Sequence, residues 1–155
     1  MTEQTLLQKT AKYLTDHNVM TIATSGPQGI WAAAVFYAHD AGFNLYFLSA
    51  PTTRHSQNIA ANPAVAVTIQ ADYKDWPEIK GIQMEGQAHR LEGADKARAI
   101  QIYGEKFALI ANIDQAPPKI SQAFRKIAWY KIGPQRLYFI DNSLGFGHRD
   151  ELQLT

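Results

Sequence analysis

Residues 43–69, FNLYFLSAPTTRHSQNIAANPAVAVTI, decide how this chain is read. An apolar, aromatic run (43–48) leads into a polar junction holding Ser49, Thr52, Thr53, Arg54 and His55. Residues 53–61 then predict a short helix, stopped by Asn62-Pro63, because the residue before a proline avoids the helical region. Residues 64–70, AVAVTIQ, predict the next strand. A helix N-terminus leaves backbone N–H groups free and carries partial positive charge. Hydroxyls and a guanidinium added there form a seat for a phosphate. The same residues also fit an ordinary capped surface helix.

Working outward, residues 2–18 carry Leu6, Leu7, Thr10, Ala11 and Leu14 at helical spacing and predict an amphipathic opening helix. Residues 19–24 (VMTIAT) and 30–38 predict two strands joined as a hairpin by Ser25-Gly26-Pro27-Gln28-Gly29. On the C-terminal side, residues 79–91 alternate around Gly81 and Gly86 and predict one long, bent strand. Residues 95–112 predict a second amphipathic helix, and residues 119–126 a short helical turn. Residues 127–132 and 136–141 read as two strands about the turn Gly133-Pro134-Gln135. The tail, 142–155, shows no period. Short strands joined by tight turns imply an antiparallel barrel with helices beside it, a mainly β fold of the α+β class.

Composition narrows the function. A chain of 155 residues fits one domain spanning 1–155: an N-terminal helix (3–18), a barrel (19–141) and a tail. The net charge of +1 argues against a general nucleic-acid binder. With no cysteine there is no disulfide, thiolate metal site or cysteine nucleophile. No basic segment leads into an apolar run at the start, and no run reaches membrane-spanning length, so a cytoplasmic protein without membrane partners is expected. No Ser-His-Asp order or paired-carboxylate pattern stands out, and no histidine belongs to a metal-ligand motif. Trp76, in the polar loop DYKDWP, fits a cover over a ligand as well as a plug at the barrel base.

The blocks WAAAVFYA, LYFLSAPTTRHSQNIAANPAVAVTI, IKGIQMEGQAHRLEG and YKIGPQRLYFID, in this order, resemble the pyridoxamine-phosphate-oxidase-like family of FMN-binding split barrels. The resemblance spans residues 19–141 and implies a six-stranded antiparallel split barrel, homodimeric, with FMN in grooves at the subunit interface. It implies that Trp31, Ala32, Ala33 and Ala34 run along the isoalloxazine edge, and that Phe47, Leu48, Ser49 and Ala50 face the ring and ribityl chain through their backbone. Thr53, Arg54 and His55 would meet the phosphate, and Lys80, Gly81 and Gln83 the pyrimidine edge. His55 stands where many relatives place lysine, and neutral histidine is a weaker anion partner. The tail GFGHRDEL does not match the C-terminal Arg and His pattern of the oxidase itself, so classical pyridoxamine phosphate oxidase activity is not expected. The implied function is a flavin-dependent oxidoreductase acting on a small organic substrate. The alternative is a non-enzymatic protein that binds flavin, haem or another flat ligand.

Overall fold

The computed structural model describes residues 3–154. Helix α1 (Glu3–Asp16) buries Leu6, Thr10, Tyr13 and Leu14 along one face. Strands β1 (Val19–Gly26) and β2 (Gly29–Phe36) form a hairpin whose turn is Pro27-Gln28. Gly29 closes it with φ 101°, a conformation that L side chains rarely adopt. A short β3 (Ala38–His39) and β4 (Leu45–Ser49) follow, then helix α2 (Arg54–Ala61) and β5 (Ala64–Gln70). The long β6 (Lys80–Arg90) leads to helices α3 (Gly93–Lys106), α4 (Ala108–Ala111) and α5 (Pro118–Arg125). Strand β7 (Ala128–Asp141) and a short β8 (Arg149–Glu151) complete the chain.

All strand pairs are antiparallel, in the order β2-β1-β5-β6-β7-β4-β3, with β8 added beside β7. This is the curled, split-barrel sheet that the resemblance implies, with eight strands among the described residues rather than six. The two extra strands are the short β3 and β8, which carry no readable alternation.

The expected turn at Gly133-Pro134-Gln135 is a second difference. Strand β7 runs straight through it, and the register against β6 shifts between Glu85 and Gly86. Proline lacks the N–H that a regular ladder needs, and a bulge absorbs it without ending the strand. Gly86 allows the close approach: a Cβ there would lie 2.3 Å from the Gly133 carbonyl oxygen. The second helix also differs, ending at Lys106 where Phe107 turns extended before α4.

The barrel core is filled by inward residues of each strand, among them Met20, Ile22, Leu45, Phe47, Val67, Ile82 and Leu137. A second cluster, with Tyr46, Tyr103 and Trp129, lies between β4, β7 and α3. The tail folds back on its own sheet, where the Leu152 N–H donates to the Leu137 carbonyl and Leu152 is buried.

Candidate functional site

The junction between β4 and α2 is built by local hydrogen bonds. Thr53 is the N-cap of α2, and its Oγ1 accepts from the Ser56 N–H at 3.2 Å. Ser49, the last residue of β4, lies 3.2 Å from Thr53 Oγ1 and 2.6 Å from His55 Nε2. Helix α2 buries His55, Ser56, Asn58 and Ile59 against the barrel. Asn58 pins it, donating from Nδ2 to Thr24 Oγ1 at 3.1 Å.

Arg54 turns the other way, toward the β1–β2 hairpin. Its Nη2 donates to the Gln28 carbonyl at 2.8 Å, and its guanidinium lies 4.4 Å from the Trp31 ring centroid. Its Nε is buried and has no hydrogen-bond partner among the described residues. A buried, partnerless donor on a cation is costly, and an anion would satisfy it. His55 differs: burial pushes its imidazole below the ordinary value of 6.5, so it is neutral near pH 7. The positive charge at this junction therefore belongs to Arg54, while His55 holds Ser49 from inside.

Ala32 and Ala34 point to the outer face of the sheet, whereas Ala33 packs on the core. The register sets Ala34, Thr21, Thr68, Gln83 and Tyr138 in one row, and Ala32, Ala23, Ala66, Glu85 and Arg136 in the next. The side chains of these rows on β2, β1 and β5 are small, so a flat group can approach that face closely. Phe47 is fully buried, which leaves only its backbone for a ligand, and Leu48 packs toward the α3 side. Ala50 accepts at its carbonyl from the Thr53 N–H.

Within one chain the implied residues form two separate groups. Trp31 and Arg54 meet at the β2 edge. Lys80, Gly81 and Gln83 lie on β6, three strand spacings away, or about 14 Å at the usual separation. Gln83 there accepts from Arg149 at 3.3 Å, and the Lys80 carbonyl accepts from the Tyr13 hydroxyl. Strand β2 is a sheet edge that leaves Ile30 (79% exposed), Trp31 and Phe36 open. Trp76 is exposed and packs on Phe146 at 5.3 Å, away from the core. Trp129 and Tyr130 are core residues.

Sequence reasoning does not find the Ser49–His55 bond or the Asn58–Thr24 bond. Both join polar residues turned inward, where an apolar-periodicity search has no signal. A serine–histidine pair invites comparison with a nucleophile and base, but among the described residues no carboxylate orients the His55 ring.

A split barrel with a capped helix N-terminus beside an exposed sheet edge defines the class. The family model described as pyridoxamine 5'-phosphate oxidase matches residues 6–141. The chain belongs to that family, whose fold commonly forms dimers. A UPF0306 protein of Klebsiella pneumoniae subsp. pneumoniae is 32% identical over 139 residues, covering 89% of this chain and 86% of the relative. The haem storage protein HutZ of Vibrio cholerae superposes with a TM-score of 0.69 at 19% identity, covering 84% of this chain and 91% of HutZ. A haem-binding protein of Mycobacterium smegmatis superposes with a TM-score of 0.71 at 23% identity, covering 94% of this chain and 57% of the other. No described helix is long and apolar enough to cross a membrane.

Proposed function

We propose that this protein binds FMN between two copies of the chain and is a cytoplasmic, flavin-dependent oxidoreductase acting on a small organic molecule. One observation carries the reading: the buried, partnerless Nε of Arg54 at the start of a helix capped by Thr53. That donor, the Thr53 and Ser49 hydroxyls and the α2 N-terminus suit a phosphate monoester. The small outer face of Ala32 and Ala34 suits a flat ring. The distance between the Arg54 group and the Lys80–Gln83 group favours a groove completed by a second copy, and exposed Ile30 and Trp31 at the hairpin end of β2 give that copy an apolar surface to cover.

When bound, the flavin would supply hydride transfer, which needs no catalytic triad from the protein. The chain's own part is binding and exclusion of water. Arg54 would hold the phosphate charge, His55 would keep the Ser49 hydroxyl in place, and the β2 face would exclude water from one side of the ring. Lys80, Gly81 and Gln83 of the second copy would lie along its polar edge.

The test is an absorbance spectrum of protein purified from cells, followed by FMN titration of the wild type and Arg54→Glu. Flavin bands and saturable uptake, lost in Arg54→Glu, are expected. Colourless protein that takes up no FMN would overturn the reading. Storage or sensing of haem is the second reading, motivated by the two haem proteins of the same fold. A Soret band in the purified protein would establish it instead.

A further inference from the structure

A cavity of about 490 Å3 opens between α4, α5 and the ends of β2 and β4. That size lies within the usual range of small-molecule sites, roughly 300–1,000 Å3. Its walls include Phe36, Leu48, Phe107, Ile120 and Phe124, and among the described residues Lys119 is the one charged residue lining it. The residues that form it are not spare core. Phe36 is 57% exposed and Ile120 43% exposed, although each sits beside other apolar groups. Phe36 and Phe107 stand 5.5 Å apart, and Phe124 packs edge-on against the buried Trp129 at 5.8 Å. One wall is therefore anchored to the core while the other faces open space. On α5, Ile120 and Phe124 are four apart and share one helix face.

We infer that this groove binds the apolar, aromatic body of a small ligand carrying one anionic group, which pairs with Lys119. Three features favour such a ligand over a second copy of the chain. The surface is concave and of ligand volume. Its single cation stands alone among apolar walls. It also adjoins the face proposed for the cofactor ring, since Phe36 ends the strand that holds Ala32 and Ala34 and is exposed on the same face. The ligand's standing as the substrate rests on the flavin reading; the binding site itself does not.

The probes are 1-anilinonaphthalene-8-sulfonate, flat and anionic, and its uncharged analogue N-phenyl-1-naphthylamine. Saturable binding of one molecule per chain is expected for each. Ile120→Glu, at an exposed position, should weaken both by about tenfold or more, because it places an unpaired charge in the apolar wall. Lys119→Ala should weaken the sulfonate several-fold and leave the uncharged probe unchanged. FMN titration should be unaffected in both variants. In FMN-loaded wild type, saturating sulfonate should shift the visible flavin band, since Phe36 and Ala34 share one face of β2.

Unsaturable fluorescence, or binding insensitive to Ile120→Glu, would overturn the site. So would a fall in assembly mass for Ile120→Glu by sedimentation, which would show that a second copy covers the groove. An unshifted flavin band would overturn its role as substrate site. The expected probe pattern in protein that takes up no FMN would refute the cofactor reading and leave the ligand site standing.

Discussion

Replacing Arg54 with alanine should separate FMN from riboflavin, which differ only by the phosphate. The guanidinium directs Nη2 to the Gln28 carbonyl and its face to Trp31, but Nε has no partner among the described residues. A phosphate oxygen that pairs with Nε makes one charge-assisted hydrogen bond, about 1.5–3 kcal/mol net. At 1.4 kcal/mol per tenfold, Arg54→Ala should therefore weaken FMN by roughly 10- to 150-fold. Riboflavin should weaken far less, because the ring face of Ala32 and Ala34 is untouched. Loss of the Trp31 contact, about 0.5–1 kcal/mol, falls on both flavins or on stability and cancels in their ratio. Arg54→Lys should lie between, keeping the charge but not the planar fork. The assay is quenching of flavin fluorescence by each protein at fixed salt, with circular dichroism to confirm folding. If the FMN-to-riboflavin affinity ratio of a folded Arg54→Ala variant equals that of wild type, the phosphate does not sit at Arg54.

Gly86→Ala should lower stability by about 1–3 kcal/mol, since the new Cβ meets the Gly133 carbonyl at 2.3 Å across the bulge. A thermal melt checks this, and an unchanged midpoint would mean that the bulge yields freely. Ile30→Asp, on the open edge of β2, should turn a dimer into a monomer in sedimentation; an unchanged mass would place the interface elsewhere. Asp141→Asn should destabilise the protein near neutral pH, but less so in acid. Burial alone raises the Asp141 carboxyl, yet hydrogen bonds from Ser143 and Lys9 outweigh it and hold it below its ordinary 3.8. A carboxylate held low in the fold stabilises above its unfolded value and loses that contribution as pH falls through its folded value. Urea melts should therefore show the gap between wild type and variant closing below about pH 4. A gap that stays constant in acid would assign the loss to packing instead.

The stretch 43–69 is legible because its signals are local. An apolar run, a hydroxyl before a helix, and Asn-Pro at its end each act within a few residues, and β4, α2 and β5 fall where they point. Strand β7 is not legible for the opposite reason. Gly133-Pro134-Gln135 is a strong turn signal in isolation, but pairing with β6 along almost the whole of both strands outweighs it. Phe107, where α3 ends, likewise makes a contact distant in sequence, its ring standing 5.5 Å from that of Phe36 on β2.

The candidate site divides along the same line. Which residues stand at the junction is a matter of sequence order, but which way each one faces is decided by the barrel. His55 and Arg54 are neighbours, so the helix turns one inward as it turns the other out. Inward, His55 loses solvent and with it the proton that would have made it a phosphate partner. Outward, Arg54 reaches the hairpin and keeps a donor free. A lysine at position 55 would have to bury a charge beside Phe47 or distort the helix start to escape, a cost that neutral histidine avoids. The histidine is thus suited to this seat as a buried brace for Ser49. The burden of any anion then falls on one residue, which is why a single substitution at Arg54 is the sharpest probe of what the groove holds.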